Sequence, residues 1–168
     1  MVSFISGITS LDYQHPGLDP VEYLTHPFRV ARILTAYSEE LTLDDIKLAL
    51  AHNIIEVVKD SSGAIKDKVS LKIYNEIKLL TVNRELQWDW SYKDQYYHNL
   101  CKSRSASTVK VVDKLDNIYL LDNNPNLDIK RKYLHEIEKY IIPMSGRFLP
   151  RIEEYFKKIF YEVKTKIK

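Results

Sequence analysis

One cysteine, Cys101, in 168 residues excludes an intramolecular disulfide and leaves no set of thiolates for a zinc cluster. A metal held by this chain has to rest on nitrogen and oxygen ligands. Nowhere does a run of about 18 apolar residues occur, which a membrane-spanning helix needs. The opening MVSFISGITSLDYQ lacks a basic segment followed by a long apolar one. The expectation is a cytoplasmic protein with no membrane partner. Charge of one sign is scarce too: the formal net charge is +2 and only the end, KKIFYEVKTKIK, is rich in lysine. No nucleic-acid partner is expected.

Only four glycines and six prolines interrupt the chain, and apolar residues recur at three and four rather than two. Both features favour helices over strands, and the length fits one domain, residues 1–168, with a sizeable core. The reading is all-α, with about seven or more helices. Thr25 can cap a helix that starts at His26 and Pro27 and runs through FRVARILTAY to about Ser38. LTLDDIKLALAHNIIEVV offers Thr42 as N-cap with Asp45 three residues on, then a nearly all-apolar body suited to a central buried helix. SSGA at 61–64 reads as a break, and KDKVSLKIYNEIKLLTV as a helix ending near Asn83. Residues 84–92 read as loop, YKDQYYHNLCK as helix, SRSAS as a separator before an apolar helix at 108–121, and DNNPN as its end. DIKRKYLHEIEKYII and PRIEEYFKKIFYEVKTK supply two last helices, joined across PMSGRFLP.

The informative residues are those that spoil an apolar face. His26 opens the first strong helix, His52 and Asn53 interrupt ALAHNII, and Asp113 interrupts VKVVDKL. Burying an isolated carboxylate is costly, so Asp113 needs a partner. An ion pair with Lys110 or Lys114 is the ordinary one. Two imidazoles and a carboxylate converging from separate helices would instead form a first shell for a divalent transition metal. Glu56 follows His52 by four, on the same helical face, where a carboxylate could handle the proton of the attacking water. Asn117 follows Asp113 by four and would look into the same cleft, where its amide could meet a substrate oxygen.

The order His, then His with an acid or amide, then Asp, all on helices, resembles the HD phosphohydrolase superfamily. Three segments narrow the likeness to the hydrolase domain of the RelA/SpoT proteins and their small stand-alone relatives. EYLTHPFRVARIL is similar to PYIxHPxxVAxIL, ALAHNIIEV to LLHDxxEDT, and VKVVDKLDNIYLL to VKLADRLHNxxTL; EIEKYIIPMSGRFL is similar to the later ExYxPLAxRLG. The resemblance covers about residues 13–150. It implies a compact HD-domain helical bundle that uses manganese to remove the 3′-pyrophosphate from guanosine tetra- and pentaphosphate, a small nucleotide being the partner. It would make His26, His52, Asn53 and Asp113 the metal ligands and Glu56 part of the catalytic acid pair. Asn117 would contact the nucleotide, and Lys114 and His15 would be further substrate-binding groups.

The chain also departs from that pattern. Asn53 stands where the name-giving aspartate belongs, and a neutral amide oxygen is a weaker ligand than a carboxylate. The glutamate-aspartate pair becomes Glu56 and Val57. Upstream of THP only His15 stands near the position of the family's Arg-Lys pair, and Leu120 replaces a threonine. Three readings cover these departures: a hydrolase of a different phosphorylated nucleotide, a weakened or inactive relative that binds a nucleotide for regulation, or a substitution introduced at 53. The last would leave Val57 and Leu120 unaccounted for. A helical interaction module built on QWDWSYKDQYYHN is a different class of function, and it leaves the buried polar set unexplained.

Overall fold

Helices in this chain start at side chains that cap them and stop where side chains compete for the backbone. The computed structural model describes residues 20–57 and 61–167, and no strand occurs among them. The helices are α1 Pro20–Tyr37, α2 Leu43–Ala51, α3 Ile54–Val57, α4 Ser61–Lys66, α5 Leu71–Leu80, α6 Trp90–Leu100, α7 Arg104–Leu120, α8 Leu127–Glu136, α9 Ile142–Phe148 and α10 Pro150–Lys166. Short 3-10 turns lie at Arg84–Leu86 and Leu121–Asn123, and a π turn, Ile137–Ile141, joins α8 to α9.

Thr42 and Asp45 form the expected capping box at α2: each side chain takes the other's backbone N–H. Ser70, Asp89, Ser103 and Asn126 likewise accept N–H groups of the first turns of α5, α6, α7 and α8. Each such cap contributes about 1 kcal/mol.

Several boundaries differ from the expectation. α1 begins at Pro20, so Thr25 is inside it rather than its cap, and Pro27 forgoes one backbone bond within the helix. The stretch read as one helix from 42 to 58 is broken at His52–Asn53. Residues 61–64 begin α4 instead of breaking the chain, the 84–92 stretch holds a 3-10 turn and the start of α6, and SRSAS supplies the cap and first turn of α7. PMSGRF is helical. Pro143 has no N–H for the carbonyl four residues back, and the widened turn before it, with the N–H of Ile142 bonded to the carbonyl of Ile137, absorbs the defect.

α7 is the axis of the fold, not α2. It packs against α1, α2, α5, α9 and α10. From Ala106 to Asp116 every residue of α7 is buried, the polar ones included. Around it the core is closed by Leu34 and Val30 of α1, Ile73 and Ile77 of α5, and Phe156 and Phe160 of α10. Truncating either phenylalanine to alanine would cost about 3–5 kcal/mol. A helix buried on all sides must pair every polar group it carries, and those pairings build the site.

Candidate metal centre

Three elements deliver one side chain each. His26 comes from α1, His52 from the end of α2 and Asp113 from the middle of α7, and one ligand atom from each lies within 4.8 Å of the others. His26 Nε2 is 3.2 Å from His52 Nε2 and 3.2 Å from Asp113 Oδ1, while His52 Nε2 is 3.6 Å from the same oxygen. All three residues are buried.

The local sequence explains the orientation of both rings. His52 Nδ1 donates to the Ala49 carbonyl at 2.7 Å, the acceptor that a continuing α-helix would offer to the N–H of residue 53. The bond ends α2 and turns Nε2 towards the common point. His26 Nδ1 lies 2.7 Å from Asp116 Oδ2, and Arg29 grips the same carboxylate with Nε (2.7 Å to Oδ1) and Nη2 (2.8 Å to Oδ2). With each Nδ1 occupied, each Nε2 faces His52, His26 and Asp113, as metal-bound imidazoles require.

Asp113 is the electrostatic centre. Burial would raise its carboxyl, but the Lys110 ammonium and the two imidazoles outweigh burial and hold it well below the usual carboxylate range. Lys110 Nζ is 3.0 Å from Oδ2, and the Asn117 amide donates to Oδ1 at 2.7 Å. Burial would also lower the His26 imidazole; the carboxylates of Asp113 and Asp116 prevail and raise it to about 9. The expected ion pair with Lys110 and the convergence with the histidines are both present. Lys114 turns instead to Glu136.

His26 and Asp113 of the trio line a cavity of about 340 Å³, large enough for a small ligand. Asn53, Glu56, Lys114 and Asn117 line it, so the structure brings these expected residues to one place. His15 lies outside the described residues. Glu56 is not the surface glutamate that a helix end would suggest: its side chain is 6% exposed, Oε1 accepts the Val82 N–H at 2.8 Å and Oε2 meets Arg84 at 2.7 Å. Val57 is 1% exposed and belongs to the core.

Three participants escaped the sequence reading. Asp116 stands inside the quoted segment VKVVDKLDN, where the family pattern has histidine, and the mismatch itself was the signal. Arg84 and Glu136 carried none: each sits among other charges, in NRELQ and in KRKYLHEIEK, and only the fold buries Glu136 or sets Arg84 on Glu56.

Among solved structures, the chain is similar to a metazoan ortholog of SpoT that hydrolyzes ppGpp and plays a role in starvation responses. The TM-score is 0.76 at 18% identity, over 96% of this chain and 92% of that one. The chain shares the all-α fold of that protein. No family model matches it, and no curated protein does. No described helix is long and apolar enough to cross a membrane.

The donor set fits a divalent transition metal. Two imidazole nitrogens and a carboxylate oxygen face one point, both rings are anchored through their other nitrogen, and Asn53, whose amide can supply a fourth donor, lines the cavity beside His26 and Asp113.

Proposed function

We propose that the chain is a metal-dependent phosphohydrolase of nucleotide pyrophosphates, with guanosine 3′,5′-bis(diphosphate) the leading substrate. The observation that carries this reading is the convergence of His26, His52 and Asp113 at one end of a ligand-sized cavity lined by lysines. His26, His52, Asn53 and Asp113 would hold manganese or another divalent transition metal. Such a metal, when bound, supplies Lewis acidity towards a phosphoryl oxygen and makes water more acidic.

The chain's own residues do the remaining work. Asp116 and the Ala49 carbonyl hold the rings in orientation. Glu56 takes the proton of the attacking water, which requires its carboxylate to be released in part from Arg84. A phosphate arriving beside Arg84 would compete for that guanidinium and free the carboxylate. Lys110 and Lys114 offset charge that builds up on the phosphoryl oxygens. Asn117 keeps one N–H for the nucleotide, since it gives the other to Asp113.

The test is metal analysis after dialysis against manganese, followed by a hydrolysis screen over guanosine tetraphosphate, other nucleotide pyrophosphates and nucleoside monophosphates. We expect about one manganese per chain, as a single three-residue ligand set implies, and turnover that an Asp113→Asn control lacks. No bound metal together with no phosphate release overturns the proposal. A second reading, a regulatory nucleotide binder without turnover, draws on Val57: the position of the second family acid is filled by a core side chain. Tight nucleotide binding in calorimetry with no product would favour it.

A further inference from the structure

A second cleft, of about 400 Å³, lies between the second half of α1 and the last turn of α7 and plays no part in the proposed reaction. Ile33 and Ala36 of α1 and Leu120 of α7 line it with apolar surface, together with the rings of Tyr37 and Tyr119. One side chain of α10 braces both rings. Tyr155 stacks on Tyr37, with centroids 6.5 Å apart and planes 14° from parallel, and its hydroxyl is hydrogen-bonded to that of Tyr119. Tyr119 is 48% exposed and Leu120 38%. Large apolar side chains left open next to one another mark a place where something binds.

The lining is also short of negative charge. Arg29 and Arg32 stand one turn apart on α1, and Asp116 is the one acid among the described lining residues. That acid is already spent, on Arg29 and on His26. Arg32 is exposed and has no ion pair among the described residues. Arg29 gives Nε and Nη2 to Asp116 and Nη1 to Thr25, which leaves two of its five N–H groups free for a ligand. The three charged groups together carry one surplus positive charge, which a monoanion neutralises. Apolar and aromatic walls with two guanidiniums suit a small aromatic molecule bearing one carboxylate.

One contact joins this cleft to the metal centre. His26 lines the first cavity and not the second, Asp116 lines the second and not the first, and their 2.7 Å contact spans the partition. Leu120 lines both. Asp116 and Leu120 are also two positions at which the chain departs from the RelA/SpoT pattern, and they lie one turn apart on one face of α7. The composition of the cleft is this chain's own.

We propose that the cleft is an effector site for a small aromatic carboxylate, and that its occupancy is felt at His26 through Arg29 and Asp116. The ligand's ring packs against Tyr37 and Tyr119, and its carboxylate takes free N–H groups of Arg29 and Arg32. Sharing Arg29 leaves more of the Asp116 charge to the His26 Nδ1–H, which makes Nε2 a better metal donor. Ligand and metal then strengthen each other by the same factor. The site stands without the phosphohydrolase reading, and only the coupling rests on a metal at the trio.

The probe is 2-naphthoate, with 2-naphthamide as its uncharged counterpart, titrated by calorimetry into the metal-free chain. We expect 2-naphthoate to bind, and 2-naphthamide to bind about tenfold more weakly, the loss expected of one hydrogen bond to a charged group. Arg32→Gln should weaken 2-naphthoate by about the same factor, and Ala36→Trp, whose ring would fill the cleft, should abolish binding. Both positions are exposed, so neither change disturbs the core. No binding of 2-naphthoate to wild type, or equal binding to wild type and Ala36→Trp, overturns the site. So does a dimer in sedimentation that Ala36→Trp disrupts, since a second copy is then the occupant. In a second arm manganese is titrated with and without saturating 2-naphthoate. Its affinity should rise about fivefold or more in wild type and stay unchanged in Ala36→Trp. Unchanged or lowered manganese affinity in wild type with the cleft occupied overturns the coupling. Absence of manganese binding in both conditions overturns the coupling together with the metal reading, while the first arm still decides the site.

Discussion

Asp116 stands 2.7 Å behind His26, its Oδ2 on the ring's Nδ1, and is itself clamped by Arg29. The carboxylate does not touch the common point of the trio, yet it decides which nitrogen of His26 faces it. Asp116→Asn should therefore lower manganese affinity by about 10–100-fold with the fold retained, the usual effect of removing a histidine's outer partner. Calorimetric titration with manganese, beside a thermal melt, checks this. Unchanged affinity would mean that the ring is oriented by packing alone.

Restoring the family's acids should have opposite outcomes at two positions. Asn53 lines the cavity, so Asn53→Asp adds a charged oxygen there and should raise both manganese affinity and hydrolysis. Val57 is 1% exposed in the core, and a carboxylate in its place would be buried without a designed partner. Val57→Asp should cost at least about 3 kcal/mol. Denaturant melts of the two variants separate the cases, and a Val57→Asp protein as stable as wild type would contradict the burial described.

Glu56→Gln keeps the shape of the side chain and its acceptor for the Val82 N–H but removes the base. Turnover should fall by about 10²–10⁴-fold while manganese binding is unaffected. Arg84→Gln should separate differently: KM rises because a phosphate contact is lost, and kcat falls less because Glu56 is already released. Steady-state kinetics on the same substrate give both numbers.

Acid stability should depend on Glu136. Burial would raise its carboxyl, but Lys114, Lys93 and Tyr97 outweigh burial and take it from 4.5 to about 2. A depressed carboxyl contributes stability above its unfolded value, and that contribution drains away as the pH falls from about 4.5 towards about 2. The amount is about 3 kcal/mol. Lys93 is shifted against its own charge, so the gain belongs to the carboxylate, on which three donors converge. Unfolding free energies at pH 6 and pH 3 should converge between wild type and Glu136→Gln, with the variant showing the shallower slope.

The parts of this architecture that could be read beforehand are those that depend on local chemistry. Thr42 with Asp45 announced a helix start, and His26, His52 and Asp113 stood out because each breaks an apolar spacing. The helix break at His52 was hidden, since it comes from a side chain taking a backbone carbonyl, with no glycine or proline to mark it. Pro143 misled in the other direction, because a widened turn absorbs it. Nothing in their local sequence sets Lys93 and Glu136 apart from the charges around them; in the fold both are buried, and Glu136 receives Lys93 of α6 and Lys114 of α7. Their role depends on contacts between distant segments, which no window of sequence contains.

The bond from His52 Nδ1 to the Ala49 carbonyl ties a ligand's orientation to the course of the main chain. In a His52→Ala chain the carbonyl is returned to the backbone, α2 is free to continue, and the direction in which Asn53 and Glu56 leave it changes. Loss of activity in that variant would then report a re-threaded loop as much as a missing imidazole. The same constraint acts on natural variation: a residue that is at once hinge and ligand cannot be exchanged for one that serves only the hinge or only the ligand.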